Sequence, residues 1–363
     1  MWWTGQAHKK HGGQKDLGEF VDMTAALNEI RGGSATIIKD LTLRFLTAGV
    51  QCAHEWNTMN GTHVLISLGG YIDVDKYRYV YFVFFLTLYV LILCSNGTII
   101  CLIWIHRNLH EPMYIFIAAL SLNSLLFSTT IYPKLIVDVL SQRQSISHSA
   151  CLLQLFLFYA LGASDFFLLS AMAYDRYVSI CKPLQYATTM RTTNVTIFLA
   201  LAWFLPGCQV AVGTYINGKQ KLCRFVSGGI FCNNTVNKLQ CVRSETTVVY
   251  GVFVFISIVI LPVLFILFTY VKIFIVAYCR CGGAWEKAAE TCLPHLMVLI
   301  CFSCLAAFDV IVDQAGSELP KTVRLIMMLQ IVVYNPLLNP IIYGVKMKEI
   351  WKHIKKLFRH HIK

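Results

Sequence analysis

Seven long apolar stretches follow Tyr77, and they restrict what this chain can become more than any other feature. They lie near 79–105, 113–135, 151–179, 195–216, 246–276, 288–312 and 323–345. About 20 apolar residues in a helix cross a hydrocarbon layer about 30 Å thick. Inside that layer the backbone has no water to bond, so each stretch is expected to be a helix that satisfies its own amides and carbonyls. Val80 to Cys94, interrupted only by Thr87, is the clearest span. The second is the weakest, because Ser121, Asn123, Ser124, Ser128, Thr129 and Thr130 make it polar. The expected fold class is an all-α membrane protein, a seven-helix bundle over 79–345.

Composition agrees. Only 14% of the 363 residues are charged, against about a quarter in soluble domains. The net charge of +12 raises the question of nucleic acid, but half of the excess sits between Lys346 and Lys363, just beyond the last apolar stretch. A basic tail beside a membrane span marks a cytosolic face rather than a nucleic-acid groove. No nucleic-acid partner is expected; the partner read from these runs is the lipid bilayer. Seven spans put the two ends on opposite sides, so the N-terminus is expected outside. The loop at 213–245 resists this topology, since it carries Lys219, Lys221, Arg224, Lys238 and Arg243 on the outer side.

Cysteines settle that conflict. Cys223, Cys232 and Cys241 recur every nine residues in the loop, and Cys151 opens the third span on the same side. Disulfides persist in an oxidising compartment, which places the loop outside the cell. Four cysteines allow three connectivities. The expected pairs are Cys151–Cys232, tying the loop to the third helix, and Cys223–Cys241, closing the loop on itself; free thiols are the bland alternative. Asn233-Asn234-Thr235 adds a glycosylation sequon at Asn233, and Asn60-Gly61-Thr62 another at Asn60. Sequons at Asn96 and Asn194 fall inside a helix and on the cytosolic side, out of reach of glycosylation. Most other cysteines lie in apolar runs and read as small hydrophobic residues.

The ends differ from the bundle. Residues 1–58 hold six basic and six acidic residues and no sustained apolar run. They read either as a small extracellular domain or, preferably, as an N-terminal extension from an upstream mis-start, with 59–78 as a short extracellular N-terminus. The segment 346–363 is expected to be a cytoplasmic amphipathic helix and tail. Ile350, Trp351, Ile354, Leu357 and Phe358 share one stripe with lysines opposite, the pattern of a helix lying on a membrane surface.

Ionisable groups inside apolar spans are costly and usually functional. Asp175-Arg176-Tyr177 closes the third span, Asp165 lies midway along it, and Asp309 lies near the outer end of the sixth. Asp309 reads as a partner for Lys321 or Arg324, or else for a cationic ligand group, the pair being favoured. With these residues the chain resembles the rhodopsin-like G-protein-coupled receptors, and within them the olfactory receptors. The resemblance runs over 59–358. Leu109-His110-Glu111-Pro112-Met113-Tyr114 is similar to their first intracellular loop, and Met172 to Cys181 to their extended aspartate-arginine-tyrosine motif. Lys287 to Leu296 resembles the start of their sixth helix, and Pro336-Leu337-Leu338-Asn339-Pro340-Ile341-Ile342-Tyr343 their seventh. The phrases Leu68 to Tyr71 and Cys181 to Tyr186 look like fish-type members.

The resemblance implies a plasma-membrane receptor that binds a small odorant and activates a heterotrimeric G protein of the stimulatory olfactory type. Asp175, Arg176, Tyr177, Tyr270, Asn339, Pro340 and Tyr343 would form the coupling switch. Arg176 would be held by Asp175 at rest and freed when the sixth helix swings out, with Tyr270 and Tyr343 then turning inward. Pro262 and Pro340 would permit bending. The ligand would sit among Phe158, Tyr159, Gly162 and Ala163 of the third helix, Val254 and Ile258 of the fifth, and Ala306, Val310 and Gln314 of the sixth. For any single one of these, helix packing is as good a reading. No cofactor is implied beyond a sodium ion at Asp165, Ser124 and Asn339, weak because Ser124 stands where the family usually has an acid. Phe302-Ser303-Cys304 also departs from the usual phenylalanine-tyrosine-glycine. Rival readings are a rhodopsin-like receptor for another small ligand, or a transporter or channel, which would show internal repeats or several midplane charges. No nucleophile elbow, phosphate loop or His-Glu-x-x-His site is present, so no enzyme is expected.

Overall fold

The computed structural model describes residues 64–242, 245–279, 284–315 and 319–361. Residues 1–58, with Asn60, lie outside them. Seven helices are long and apolar enough to span a bilayer: α1 (Val74–Ile105), α2 (Pro112–Leu140), α3 (His148–Cys181), α4 (Thr192–Gly218), α5 (Glu245–Cys279), α6 (Ala284–Ala315) and α7 (Lys321–Lys346). A shorter α8 (Lys348–His361) follows the last span. The protein is a multi-pass membrane protein. The helices overrun the apolar stretches; α1 starts at Val74 rather than 79, because Asp75 and Lys76 continue it beyond the apolar run.

α3 is the central helix. About half of its residues are buried, whereas α5 buries few of its own. Polar α2 works because its polar groups face neighbours or their own backbone. Ser124 Oγ donates to Leu120 O (3.0 Å) and Ser128 Oγ to Ser124 O (2.8 Å). Asn123 Nδ2 reaches across to Leu161 O at 2.8 Å.

Prolines in α7 explain two buried polar side chains elsewhere. Pro340 and Pro336 have no N–H, which orphans the carbonyls four residues back, Pro336 and Val332. Asn96 Nδ2 of α1 donates to Pro336 O at 2.9 Å, and Tyr132 Oη of α2 to Val332 O at 3.3 Å. Both donors are fully buried. In α5, a π-helical turn at Ile256–Ile260 precedes Pro262 and directs Ile258 inward.

At one end of the bundle, chain segments far apart in sequence form a small sheet of order β2-β1-β3. β1 (Leu65–Leu68) pairs antiparallel with β2 (Ser145–Ser147) and parallel with β3 (Val226–Ser227). Ile66 and Leu68 face inward onto Cys151, Cys232 and Leu155. Disulfides join Cys151 to Cys232 and Cys223 to Cys241. This is the disulfide end; the other is the Arg176 end.

Gly70 lies against Gly229 so closely that an added Cβ would come 2.5 Å from the Gly229 carbonyl carbon. Backbone cannot yield as a side-chain tip does. Gly70→Ala should therefore cost about 1–3 kcal/mol locally. Hydrogen exchange at Leu65–Leu68 should become faster, while α3 is unaffected; unchanged exchange there would refute the close approach.

The tail helix differs in part from its expected pose. Ile350 is fully buried and Ile354 packs against Gly344, so this part of the stripe is covered by the bundle. Trp351 remains half-exposed, with Lys355 over its ring. The side chains of Leu357 and Phe358 lie outside the described ones.

Candidate functional site

At the disulfide end the helices splay around a mostly apolar cavity of about 410 Å³. On α3, residues four apart share a face, and Phe158, Tyr159, Gly162 and Ala163 turn to this space. Val254 and Ile258 reach it from α5, with Ala306 and Val310 from α6. Gln314 lies outside the described side chains. A Cβ on Gly162 would meet nothing within 4 Å, so the absent side chain leaves real room.

The roof comes from the loop between α4 and α5. Its pin is Cys151–Cys232, beside which Cys232 N donates to Gln154 Oε1 at 2.9 Å. This brings Asn234, Asn237 and Gln240 over the cavity. The sequence offered no signal for these loop residues, because their place depends on a disulfide closing across 81 residues.

Asp309 of α6 also lines the cavity. Tyr159 Oη donates to its Oδ2 at 2.6 Å and Asn233 Nδ2 to its Oδ1 at 3.1 Å. The sequence anticipated neither of these two donors. Asn234 N in turn donates to Tyr159 Oη at 3.0 Å, locking roof to wall. These bonds correct the expected glycan at Asn233. That side chain is 1% exposed, its amide nitrogen is committed to Asp309, and its Oδ1 accepts from Thr235 Oγ1 at 2.7 Å. A sugar on that nitrogen has no room.

Below the cavity, the midplane holds a buried polar cluster. Asn123 Nδ2 donates to Asp165 Oδ1 at 2.7 Å, and Trp203 Nε1 to Asn123 Oδ1 at 3.0 Å. Asn339 Nδ2 donates to Ser124 Oγ at 2.9 Å, leaving Asn339 Oδ1 buried and without a hydrogen-bond partner. Asn123, Ser124, Asp165 and Asn339 are each at most 2% exposed.

At the opposite end, Asp175 is fully buried. Arg176 bonds it through Nη2 at 2.6 Å and Nε at 2.9 Å, both to Oδ2. Tyr186 Oη donates to Oδ1 at 2.9 Å from the single helical turn Tyr186–Thr189. Burial first, then the Asp175 charge, pushes the Tyr186 phenol above its ordinary value, so it stays a donor. Tyr177 packs beside Tyr174, with Lys182 over its ring. Tyr343 Oη and His295 Nδ1 lie 3.2 Å apart, which ties α7 to α6, while Tyr270 Oη is buried without a partner. The arginine is caged.

The seven-helix membrane bundle thus carries a roofed cavity at one end and a caged arginine at the other. A family model described as "Olfactory receptor" matches residues 85–361. The chain is 35% identical to olfactory receptor 1N1 of Homo sapiens over 76% of its length and 89% of that protein's. It is likewise 35% identical to olfactory receptor 51E1 of Homo sapiens, covering 75% of this chain and 86% of that one. Against olfactory receptor 1500 of Rattus norvegicus it is 33% identical, covering 76% and 89%. The chain belongs to the olfactory receptor family.

Proposed function

We propose that this protein is an odorant receptor of the plasma membrane. A small odorant enters the roofed cavity, and the Arg176 end then receives a stimulatory olfactory-type G protein, raising cyclic AMP. The disulfide end faces outward and the C-terminus faces the cytosol. The observation that carries this reading is the pairing of an apolar cavity with a caged arginine across one bundle. α6 joins the two, since Asp309 and Ala306 line the cavity while His295 holds Tyr343 near the other end. Ligand binding shifts the balance only by its differential affinity for closed and open bundles.

The same reading places a sodium ion at Asp165, Ser124 and Asn339. The unpartnered Asn339 Oδ1 suits a cation there, but Asn123 already donates to Asp165, so the ion binds weakly.

Cells expressing the full chain with this G protein test the reading, with cyclic AMP followed across an odorant panel. At least one odorant should raise it. Gly162→Phe, which fills the open space at that position, should weaken the response about tenfold or more at unchanged surface level. Full potency in the filled variant would place the ligand elsewhere.

A further inference from the structure

We infer that the odorant enters the cavity from the lipid bilayer, through a portal between α4 and α5, and that the receptor therefore answers to lipophilic odorants dissolved in the membrane. This deepens the odorant-receptor reading and rests on it for the place of the ligand and for which end faces outward.

The cavity is not confined to the middle of the bundle. Its lining runs sideways between two spans, over Gly213 and Thr214 of α4 and Val248, Gly251 and Val252 of α5. Those three α5 residues are also exposed on the surface of the bundle. Residues that line a cavity and face outward at once mark its mouth. At about 1.5 Å per residue, Gly213 and Gly251 lie about 8–9 Å inside the helix ends at Gly218 and Glu245. Each falls within an apolar run, so the mouth opens into the outer leaflet rather than into water.

Glycine at both positions keeps this mouth clear. A Cβ on Gly251 would meet no described atom within 4 Å, so that glycine does not serve close packing of helices. On Gly213 a Cβ would come 3.2 Å from Tyr250 Cε1, which places the tyrosine ring across the gap. Tyr250 Oη donates to Gln209 O at 2.8 Å. The ring is thus a latch held by one hydroxyl bond, and one side-chain rotation releases it.

The water side is closed more firmly. Cys151–Cys232 pins the roof, Asn234 N joins it to Tyr159 of α3, and Gln240 Nε2 joins it to Asn217 Oδ1 of α4 at 3.3 Å. Passing the roof breaks several of these links, whereas passing the α4–α5 gap turns one tyrosine. Partition favours the same route. Each CH₂ favours the bilayer over water about fourfold, so a medium-chain odorant is concentrated where the mouth opens.

Purified full chain carrying Gly162→Cys, in lipid nanodiscs, reads access to the cavity without a G protein. It is treated with decyl methanethiosulfonate, which partitions into lipid, or with the trimethylammonioethyl analogue, which stays in water. Mass spectrometry follows modification of the introduced α3 thiol. The decyl reagent should react at least about tenfold faster. Adding Gly251→Trp should slow it about tenfold or more, and Tyr250→Ala, which removes the latch, should speed it several-fold while the cationic reagent stays slow. Should Gly251→Trp fail to fold, Tyr250→Ala decides alone. In cells, 1-decanol should raise cyclic AMP at concentrations at least about tenfold below 1-hexanol. Equal reaction of the two reagents, a decyl rate indifferent to both α5 variants, or 1-hexanol as potent as 1-decanol would overturn the inference. Labelling from the lipid side without cyclic AMP from either alcohol would support the portal and contradict the odorant-receptor reading. Cyclic AMP with labelling from the water side alone would do the reverse.

Discussion

Arg176→Ala should abolish or greatly reduce the odorant-dependent rise in cyclic AMP while the receptor still reaches the cell surface. The reason lies in the cage. Asp175 is fully buried and takes two bonds from the guanidinium and one from Tyr186. Removing one partner from a fully buried ion pair costs about 3–5 kcal/mol. Here the loss is smaller, because Arg176 keeps 15% exposure and Asp175 keeps the Tyr186 hydroxyl. Folding therefore survives while the group that meets the transducer is gone. The opposite variant sharpens the point. Asp175→Asn weakens the hold on Arg176, so ligand-free cyclic AMP should rise several-fold. Surface labelling beside the cyclic AMP assay checks both; a normal response in Arg176→Ala would remove this residue from coupling.

Cys232→Ser should almost eliminate surface receptor, whereas Cys223→Ser should only reduce it. Closing 81 residues constrains the unfolded chain by about 4.5 kcal/mol in the entropic model, and closing 18 by about 3 kcal/mol. The larger difference is in what each bond holds. Cys151 and Cys232 are fully buried beneath Ile66 and Leu68, and their link sets the roof from which Asn233 reaches Asp309. Cys223–Cys241 closes the loop on itself, where Cys223 N also bonds Leu239 O at 2.9 Å. Flow cytometry of tagged variants reads the ranking; equal surface levels would show that the roof does not depend on the first disulfide.

The spans were legible because apolar runs of this length have one solution in hydrocarbon, and the α3 face of the cavity through the resemblance to olfactory receptors. What escaped the sequence depends on partners distant along the chain. Asn96 looked like an idle sequon inside a helix, yet it satisfies a carbonyl orphaned by Pro340 of α7. Asn233 looked like a glycan site, but the loop folds inward and spends its amide on Asp309. The three strands are too short, at two to four residues, for an alternating pattern to show. Ile350 belongs to an amphipathic stripe, and a stripe cannot reveal whether bundle or lipid will cover it.

The most direct check is nucleotide exchange on a purified stimulatory G protein, driven by the full-length chain in lipid nanodiscs. An odorant that fits the cavity should accelerate exchange from the side bearing the C-terminus, and the acceleration should vanish in Arg176→Ala. Exchange that ignores every odorant bound by the chain, or persists undiminished without Arg176, would contradict the link between the two ends of the bundle.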